Sequence, residues 1–467
     1  MKDEKTAGQL LQEQLCEKPK NSYEIMSQEE LQKAESFCED YKVFLDRAKT
    51  EREAVEAIIG MLKGAGYEEF VLGKKYAPGD KVYYNNRGKA LICATLGTEP
   101  LEQGVYIAAS HIDSPRLDLK PRPVYEDTEL ALFKTHYYGG IKKYQWTAIP
   151  LALHGVVIKR DGETVKVNIG EDEQDPIFCV TDLLPHLATE QSKRTLAEGV
   201  KGEELNILIG SRPFKDDKAS EKVKLNILSI LHEKYGMVES DFLSAELVLV
   251  PAFKAKDLGL DRSMIGAYGH DDRVCAYTSL MATLQCKAPK KTSVVVFADK
   301  EETGSEGNTG LDSRFLEYFI SDLAAPYGVE GRTVLQNSMC LSADVNVAFD
   351  PTFPDVVERR NTAYLNYGVV VTKYTGARGK SSTSDASAEF MGRVRSVLDQ
   401  AGVVWQTGEL GKVDFGGGGT VAKYIAGLSV DVVDVGVPVL SMHAPFEVVA
   451  KNDVYNTYRA FYEFLNQ

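Results

Sequence analysis

The chain of 467 residues has no apolar run of about 18, the length a helix needs to cross a bilayer, which excludes a transmembrane helix. Its first residues, MKDEKTAGQLLQEQ, lack the apolar core of a secretory signal. A cytoplasmic protein with no membrane partner is therefore expected. Cysteine is sparse and scattered, at Cys16, Cys38, Cys93, Cys179, Cys275, Cys286 and Cys340, with no C-x-x-C pair. That pattern argues against a disulfide framework and against a thiolate zinc site. A basic excess is also missing, since 54 Lys and Arg face 68 Asp and Glu, for a formal charge of −14. Nucleic acid is not the partner such a surface attracts. The Gly-rich run Asp414–Thr420 (DFGGGGT) lacks the Gly-Lys-Ser/Thr spacing of a phosphate loop, and Lys423 does not supply it.

What remains is an ordinary globular composition, 43% hydrophobic and 26% charged. The length exceeds one ordinary core, so two domains are expected. Residues 1–21 read as a loosely held leader. Ser27 with Glu30 and Thr50 with Glu53 are capping-box pairs. Apolar residues follow each at helical spacing: Leu31, Ala34, Phe37 and Cys38, then Val55, Ile58, Ile59 and Leu62. Gly64 is expected to close the second helix. Lys81–Tyr84 and Ala90–Ala94 flank a turn signal at Asn85–Gly88 and predict a hairpin.

The most informative stretch is Val294–Gly304, VVVFADKEETG, an apolar β-branched run ending in the adjacent carboxylates Glu301 and Glu302. Neighbouring side chains on an extended backbone point in different directions. One Glu can thus bind a metal while the other serves as general base, the layout of a metal-assisted hydrolase. A solvated acidic loop would look the same in isolation. Other apolar strands, however, end alike. Gly104–Ala109 runs into His111 and Asp113, Met339–Leu341 into Asp344, and Val437–Leu440 into His443. A carboxylate such as Asp113 can fix the free nitrogen of a metal-bound imidazole. Asp271, at the loop-to-helix junction GAYGHDDR (266–273), either completes a helix N-terminus or bridges two metals. In open α/β sheets ligands bind at the carboxyl ends of the strands. Histidine and carboxylate donors without cysteine suit Zn, Co or Mn, and five donors with one bridging suit two metal ions.

Between these segments the texture changes. From about Pro115 to Leu243 the chain carries Pro115, Pro121 and Pro123, short alternating strand-like pieces, and helical stretches at Phe178–Ala188 and Ala219–Leu231. This reads as an insertion, giving a first catalytic segment at 1–114, an inserted domain at 115–245 and a second catalytic segment at 246–467. The α/β pattern resumes at Glu246–Pro251 (ELVLVP). Near the C-terminus, the loop Tyr374–Ser384 carries Arg378 and Lys380. With Gly417 and Thr420 of the Gly-rich run, they are candidates to line a substrate pocket.

These motifs resemble the aspartyl-aminopeptidase family of dinuclear zinc aminopeptidases. The matching stretches are ASHIDSPRLDLK (109–120), YGG (138–140), the Asp of DDR (271–273), KEETGSEG (300–307), SADVNVAFDP (342–351) and SMHAPFE (441–447). One departure is Asp272, where many members have Asn. The resemblance implies an α/β fold: a mixed-sheet catalytic domain sandwiched by helices, with an inserted β-rich dimerisation domain. It implies that His111 and Asp344 hold one metal, Glu302 and His443 the other, and that Asp271 bridges. Glu301 would be the general base and Asp113 the residue orienting His111. It further implies two divalent ions per subunit, foremost Zn2+, and a tetrahedral dodecamer built from dimers.

The expected activity is removal of the N-terminal residue from peptides, with preference for Asp or Glu read by the Arg378–Lys380 loop. An aminopeptidase of broad specificity, a dinuclear amidase or deacylase, and a non-catalytic shell protein are the rival readings.

Overall fold

The computed structural model describes residues 5–467. A nine-stranded mixed sheet forms its centre. The strand Tyr106–His111 lies in the middle, with Ser293–Ala298 on one side and Met339–Ser342 on the other, all three parallel. Asp431–Gly436 continues the parallel block beyond Met339–Ser342. The hairpin of Lys81–Asn86 and Ala90–Thr95 joins antiparallel beyond Ser293–Ala298.

The central strands are buried along their whole length, which their unbroken apolar runs require of a sheet covered on both faces. Their two-residue period sorts side chains into two cores. Tyr106, Ala108, Val295, Phe297 and Leu341 face one core, covered by the helices Gln28–Arg47, Glu51–Gly64, His270–Leu284 and Lys451–Leu465. Ile107, Ala109, Val294, Val296 and Cys340 face the other, covered by Phe315–Ala324, Gly331–Gln336 and Ala422–Ala426. Burying each Val or Phe contributes about 1.5–3 kcal/mol, so register here is strongly fixed.

Both capping boxes form, at Ser27 with Glu30 and at Thr50 with Glu53. The second helix runs through Gly64, and the left-handed glycine after it is Gly66, at φ +85°. The leader carries a short helix, Ala7–Leu15, with none of its residues buried.

At Asp113 the chain leaves the central sheet. Residues 116–251 build a separate seven-stranded antiparallel sheet, and its residues form the cluster of Leu117, Phe133, Trp146, Leu153, Leu205 and Leu249. The strand Ala245–Pro251, grouped by sequence with the catalytic segment, pairs here with Leu151–Ile158 and with Arg116–Asp127. The helix expected at Phe178–Ala188 is absent. That stretch holds only the two-residue strand Cys179–Val180 and a single turn at Pro185–Leu187, because Pro185 disfavours helical geometry at Leu184. The second expected helix forms at Lys222–Tyr235. A small third sheet joins Met264–Ala267, Glu447–Ala450, Pro438–Leu440 and Asn346–Val347. The fourth strand that ends in a histidine therefore lies outside the central sheet.

Candidate metal centre

The three adjacent parallel strands deliver their ends to one edge. His111 is the last residue of its strand, paired with Ala298. Three residues past Ala298 the chain reaches Glu301 and Glu302, after Lys300 has turned it at φ +67°. Asp344 follows Ser342 at the end of the third strand. Asp271 precedes the regular turns of its helix, with non-helical backbone at φ −82° and ψ 108°. His443 comes from the turn after Pro438–Leu440, itself at φ +64°.

Asp271 offers one oxygen to each histidine. Its Oδ1 lies 3.2 Å from His111 Nε2, and its Oδ2 lies 3.2 Å from His443 Nε2. Asp344 Oδ1 is 3.9 Å from His111 Nε2, and Glu302 Oε2 is 3.6 Å from His443 Nε2. The result is two donor groups, His111–Asp271–Asp344 and Asp271–Glu302–His443, which share Asp271. Glu301 belongs to neither. Its Oε2 is 3.8 Å from His111 Nε2, with its side chain partly open to the cleft.

The other nitrogens of both rings are fixed. His111 Nδ1 meets the backbone carbonyl of Asp113 at 3.0 Å and that residue's carboxylate at 3.4 Å. The Asp113 carboxylate also accepts the backbone N–H groups of Glu301 and Glu302, both at 3.2 Å. His443 Nδ1 donates to the Gly140 carbonyl at 2.9 Å. Each imidazole thus turns Nε2 toward the carboxylates, free to ligate while the other nitrogen is held.

The electrostatics are crowded. Burial pushes Glu301 up to about 7, and repulsion from Asp271 and Asp113 works against the pull of His111. Burial and nearby carboxylates also raise Glu302 and Asp344. Burial would raise Asp271, but its two histidine partners hold it below the usual carboxylate range. Burial would lower His443, but Asp271 and Glu302 bring it up to about 10.

A family model described as Aminopeptidase I zinc metalloprotease (M18) matches residues 44–465. The chain belongs to the M18 family. It is similar to the probable M18 family aminopeptidase 1 of Clostridium acetobutylicum, 50% identical over 97% of this chain and 99% of that protein. The corresponding protein of Thermotoga maritima is 47% identical over 95% and 97%. The crystal structure of the Thermotoga maritima M18 aminopeptidase superposes with a TM-score of 0.92 at 45% identity, covering 96% of this chain and 99% of that one. A dodecameric yeast mApe1 structure shares the fold at 21% identity and a TM-score of 0.73, covering 92% and 95%. This chain is accordingly an M18 zinc aminopeptidase, a metal-dependent peptide hydrolase, in agreement with the motif resemblance.

The residues of this M18 enzyme fit zinc. The donors are imidazole and carboxylate, which suit that ion. Glu302 Oε1 is buried with no hydrogen-bond partner, and Asp271 Oδ1 is buried with only His111 Nε2 beside it, a costly state that a cation relieves.

The centre opens into a cleft of about 530 Å3, bordered by Glu301, Asp344, Asn346, Thr375, Gly417 and Thr420 among others. Gly417, at φ +120°, lets this wall approach the neighbouring loop, since a Cβ there would stand 2.0 Å from the Gly376 carbonyl. Thr420 donates to Asp434 at 2.8 Å. Arg378 and Lys380 do not line the cleft. Lys380 turns instead to Asp385, at 2.9 Å, and to the Tyr374 ring. Lys423, unlike them, lies on the cleft wall, although its sequence context reads only as a failed phosphate-loop lysine.

Two further residues escaped that reading. The Glu447 carboxylate accepts the backbone N–H of Asp271 at 3.0 Å and of His443 at 2.7 Å. Tyr138 donates to Asp113 at 2.8 Å. Both lie inside the quoted motifs, SMHAPFE and YGG, but nothing local in sequence signals whom they touch.

Proposed function

We propose that this M18 aminopeptidase holds two divalent ions, foremost Zn2+, and removes N-terminal Asp or Glu from peptides with Glu301 as general base. The observation that carries the two-ion reading is the pair of donor groups sharing the two oxygens of Asp271. His111, Asp344 and Asp271 would hold one ion, and Glu302, His443 and Asp271 the other. When bound, the ions supply Lewis acidity toward water and the scissile carbonyl.

The chain's own residues do the rest. Glu301 stands beside both groups but is free of them. Burial and neighbouring carboxylates raise it to about 7 in the bare protein; bound cations would lower that value and leave the carboxylate ionised to accept a proton from the attacking water. Glu301 then returns the proton to the leaving amine. Asp113 holds the Glu301 and Glu302 backbone and steadies His111. Acidic-residue preference is supported by Lys423 on the cleft wall, in place of Arg378 and Lys380. Residues 115–245 are read as the dimerising insert, with the strand to Pro251 completing its sheet. The fold shared with a dodecameric enzyme motivates a homo-oligomer, a tetrahedral dodecamer in its fullest form. Light scattering that returned a single-chain mass would remove this last element.

The decisive experiment is hydrolysis of aspartyl-, glutamyl-, leucyl- and lysyl-anilides by wild type and by Glu301→Gln, with zinc content measured on both. Metal-dependent cleavage favouring the acidic pair is expected. The variant should keep its zinc while kcat falls about a hundred- to ten-thousand-fold. Normal turnover by Glu301→Gln would remove the base assignment, and preference for leucyl or lysyl substrates would remove the acidic specificity.

A further inference from the structure

Tyr138 closes the strand Leu130–Tyr138 of the seven-stranded sheet, and the chain then turns through Gly139 and Gly140. This three-residue loop reaches both donor groups. The Tyr138 hydroxyl donates to Asp113 Oδ2 at 2.8 Å, on the carboxylate that also contacts His111 and the backbone of Glu301 and Glu302. The Gly140 carbonyl accepts from His443 Nδ1 at 2.9 Å, which leaves Nε2 facing Asp271 and Glu302. Gly139, at φ +78°, passes so near Glu302 that a Cβ would lie 3.1 Å from Oε2.

The loop is itself anchored on two sides. Arg116 lies over the Tyr138 ring, 4.1 Å from its centroid. The same guanidinium pairs with Asp118 of the seven-stranded sheet at 2.8 Å and with Glu51, at the start of a catalytic-side helix, at 2.7 Å. Tyr138 is thus packed on an ion-paired arginine that joins the seven-stranded sheet to the helix Glu51–Gly64.

We propose that the Tyr138–Gly140 loop is a positioning clamp through which the seven-stranded sheet sets the metal affinity of both donor groups. The clamp rests on the two-ion reading only in acting on both donor groups. Outer hydrogen bonds of this kind fix the orientation of ligating side chains, and removing one costs about 10–100-fold in metal affinity.

The test uses the full-length zinc enzyme and Tyr138→Phe, which keeps the ring over Arg116 and removes one O–H. Zinc affinity is measured by competition with a chromophoric chelator, beside thermal midpoints of the zinc-saturated proteins. The expected result is a loss of about 10–100-fold in affinity for one ion. The midpoint and KM should be near wild type, and activity should return in excess zinc. Gly139→Ala should weaken the ion held by Glu302 instead. Unchanged zinc affinity in Tyr138→Phe, or a lowered midpoint without an affinity change, overturns the clamp. A wild type that binds one zinc overturns the two-ion reading alone. Reduced affinity of Tyr138→Phe for that single zinc would still support the clamp, and unreduced affinity would overturn it.

Discussion

Glu447 accepts the backbone N–H of His443 at 2.7 Å, and with the Gly140 carbonyl on Nδ1 it holds a histidine whose backbone sits in the left-handed region, at φ +64°. A non-glycine residue there costs of order 1–3 kcal/mol and persists only where its surroundings enforce it. The second oxygen of the same carboxylate takes the N–H of Asp271. Glu447 thus spaces the shared carboxylate from one histidine, although it offers no atom to either donor group. Glu447→Gln retains one acceptor and loses the other. It should weaken zinc binding about 10–100-fold, with kcat recovering as zinc is raised. Chelator competition would show this, and an affinity equal to wild type would sink the role.

Lys423 makes the specificity proposal separable from the chemistry. A hydrogen bond to a charged group contributes about 1.5–3 kcal/mol, but this lysine is exposed, so screening places the effect at the low end. Lys423→Met should reduce kcat/KM for aspartyl and glutamyl substrates by about tenfold and leave leucyl substrates near wild type. The acidic preference should also shrink as salt rises. Equal loss on all four anilides would move Lys423 from specificity to general architecture.

The convergence of His111, Glu302, Asp344 and His443 was legible because each follows an apolar run, whereas Asp271 stands at a loop-to-helix junction. His111, Glu302 and Asp344 end adjacent parallel strands, and a sheet covered on both faces leaves such runs unbroken in sequence. Sheet membership was not legible. Val437–Leu440 and Glu246–Pro251 read as strands, and strands form at Pro438–Leu440 and Ala245–Pro251, yet both pair outside the central sheet, since each takes a partner about a hundred residues away. The charge of Arg378 and Lys380 does not by itself tell whether a side chain faces a cleft, and Lys380 faces Asp385 instead. The contacts of Glu447 with Asp271 and of Tyr138 with Asp113 run across 176 and 25 residues of chain, which periodicity does not encode.

Gly104 tests how rigidly the central strand is set. At φ +88° it starts the run toward His111, and an added Cβ would stand 1.9 Å from the Asn337 carbonyl. Gly104→Ala meets both backbone strain and overpacking, which together cost about 3 kcal/mol or more. Chemical denaturation should show that loss with an unchanged m-value. A variant as stable as wild type would mean that Asn337 yields easily.

His154 carries the pH prediction. It is buried in the seven-stranded sheet, with Nδ1 2.8 Å from Glu53 and Nε2 3.1 Å from Glu171. Glu53 belongs to the helix Glu51–Gly64, while Lys49 and Lys254 reach Glu171 at 3.4 and 2.6 Å. Only the imidazolium can donate from both nitrogens. Burial would lower its pKa, but the two carboxylates outweigh burial and raise it above the ordinary value. Glu171 is held down to about 2, its histidine and lysine partners overcoming burial, so it stays ionised. The unfolded chain has His at about 6.5. A native value above that means the folded state binds the proton more tightly. The stabilisation is fully present below about pH 6.5 and is lost as pH rises through the raised native value. His154→Gln should therefore lower the thermal midpoint most near about pH 6 and least near about pH 9. Melting curves of both proteins across that range measure the gap. A gap that widens with rising pH would show that the carboxylate pair does not favour the charged ring.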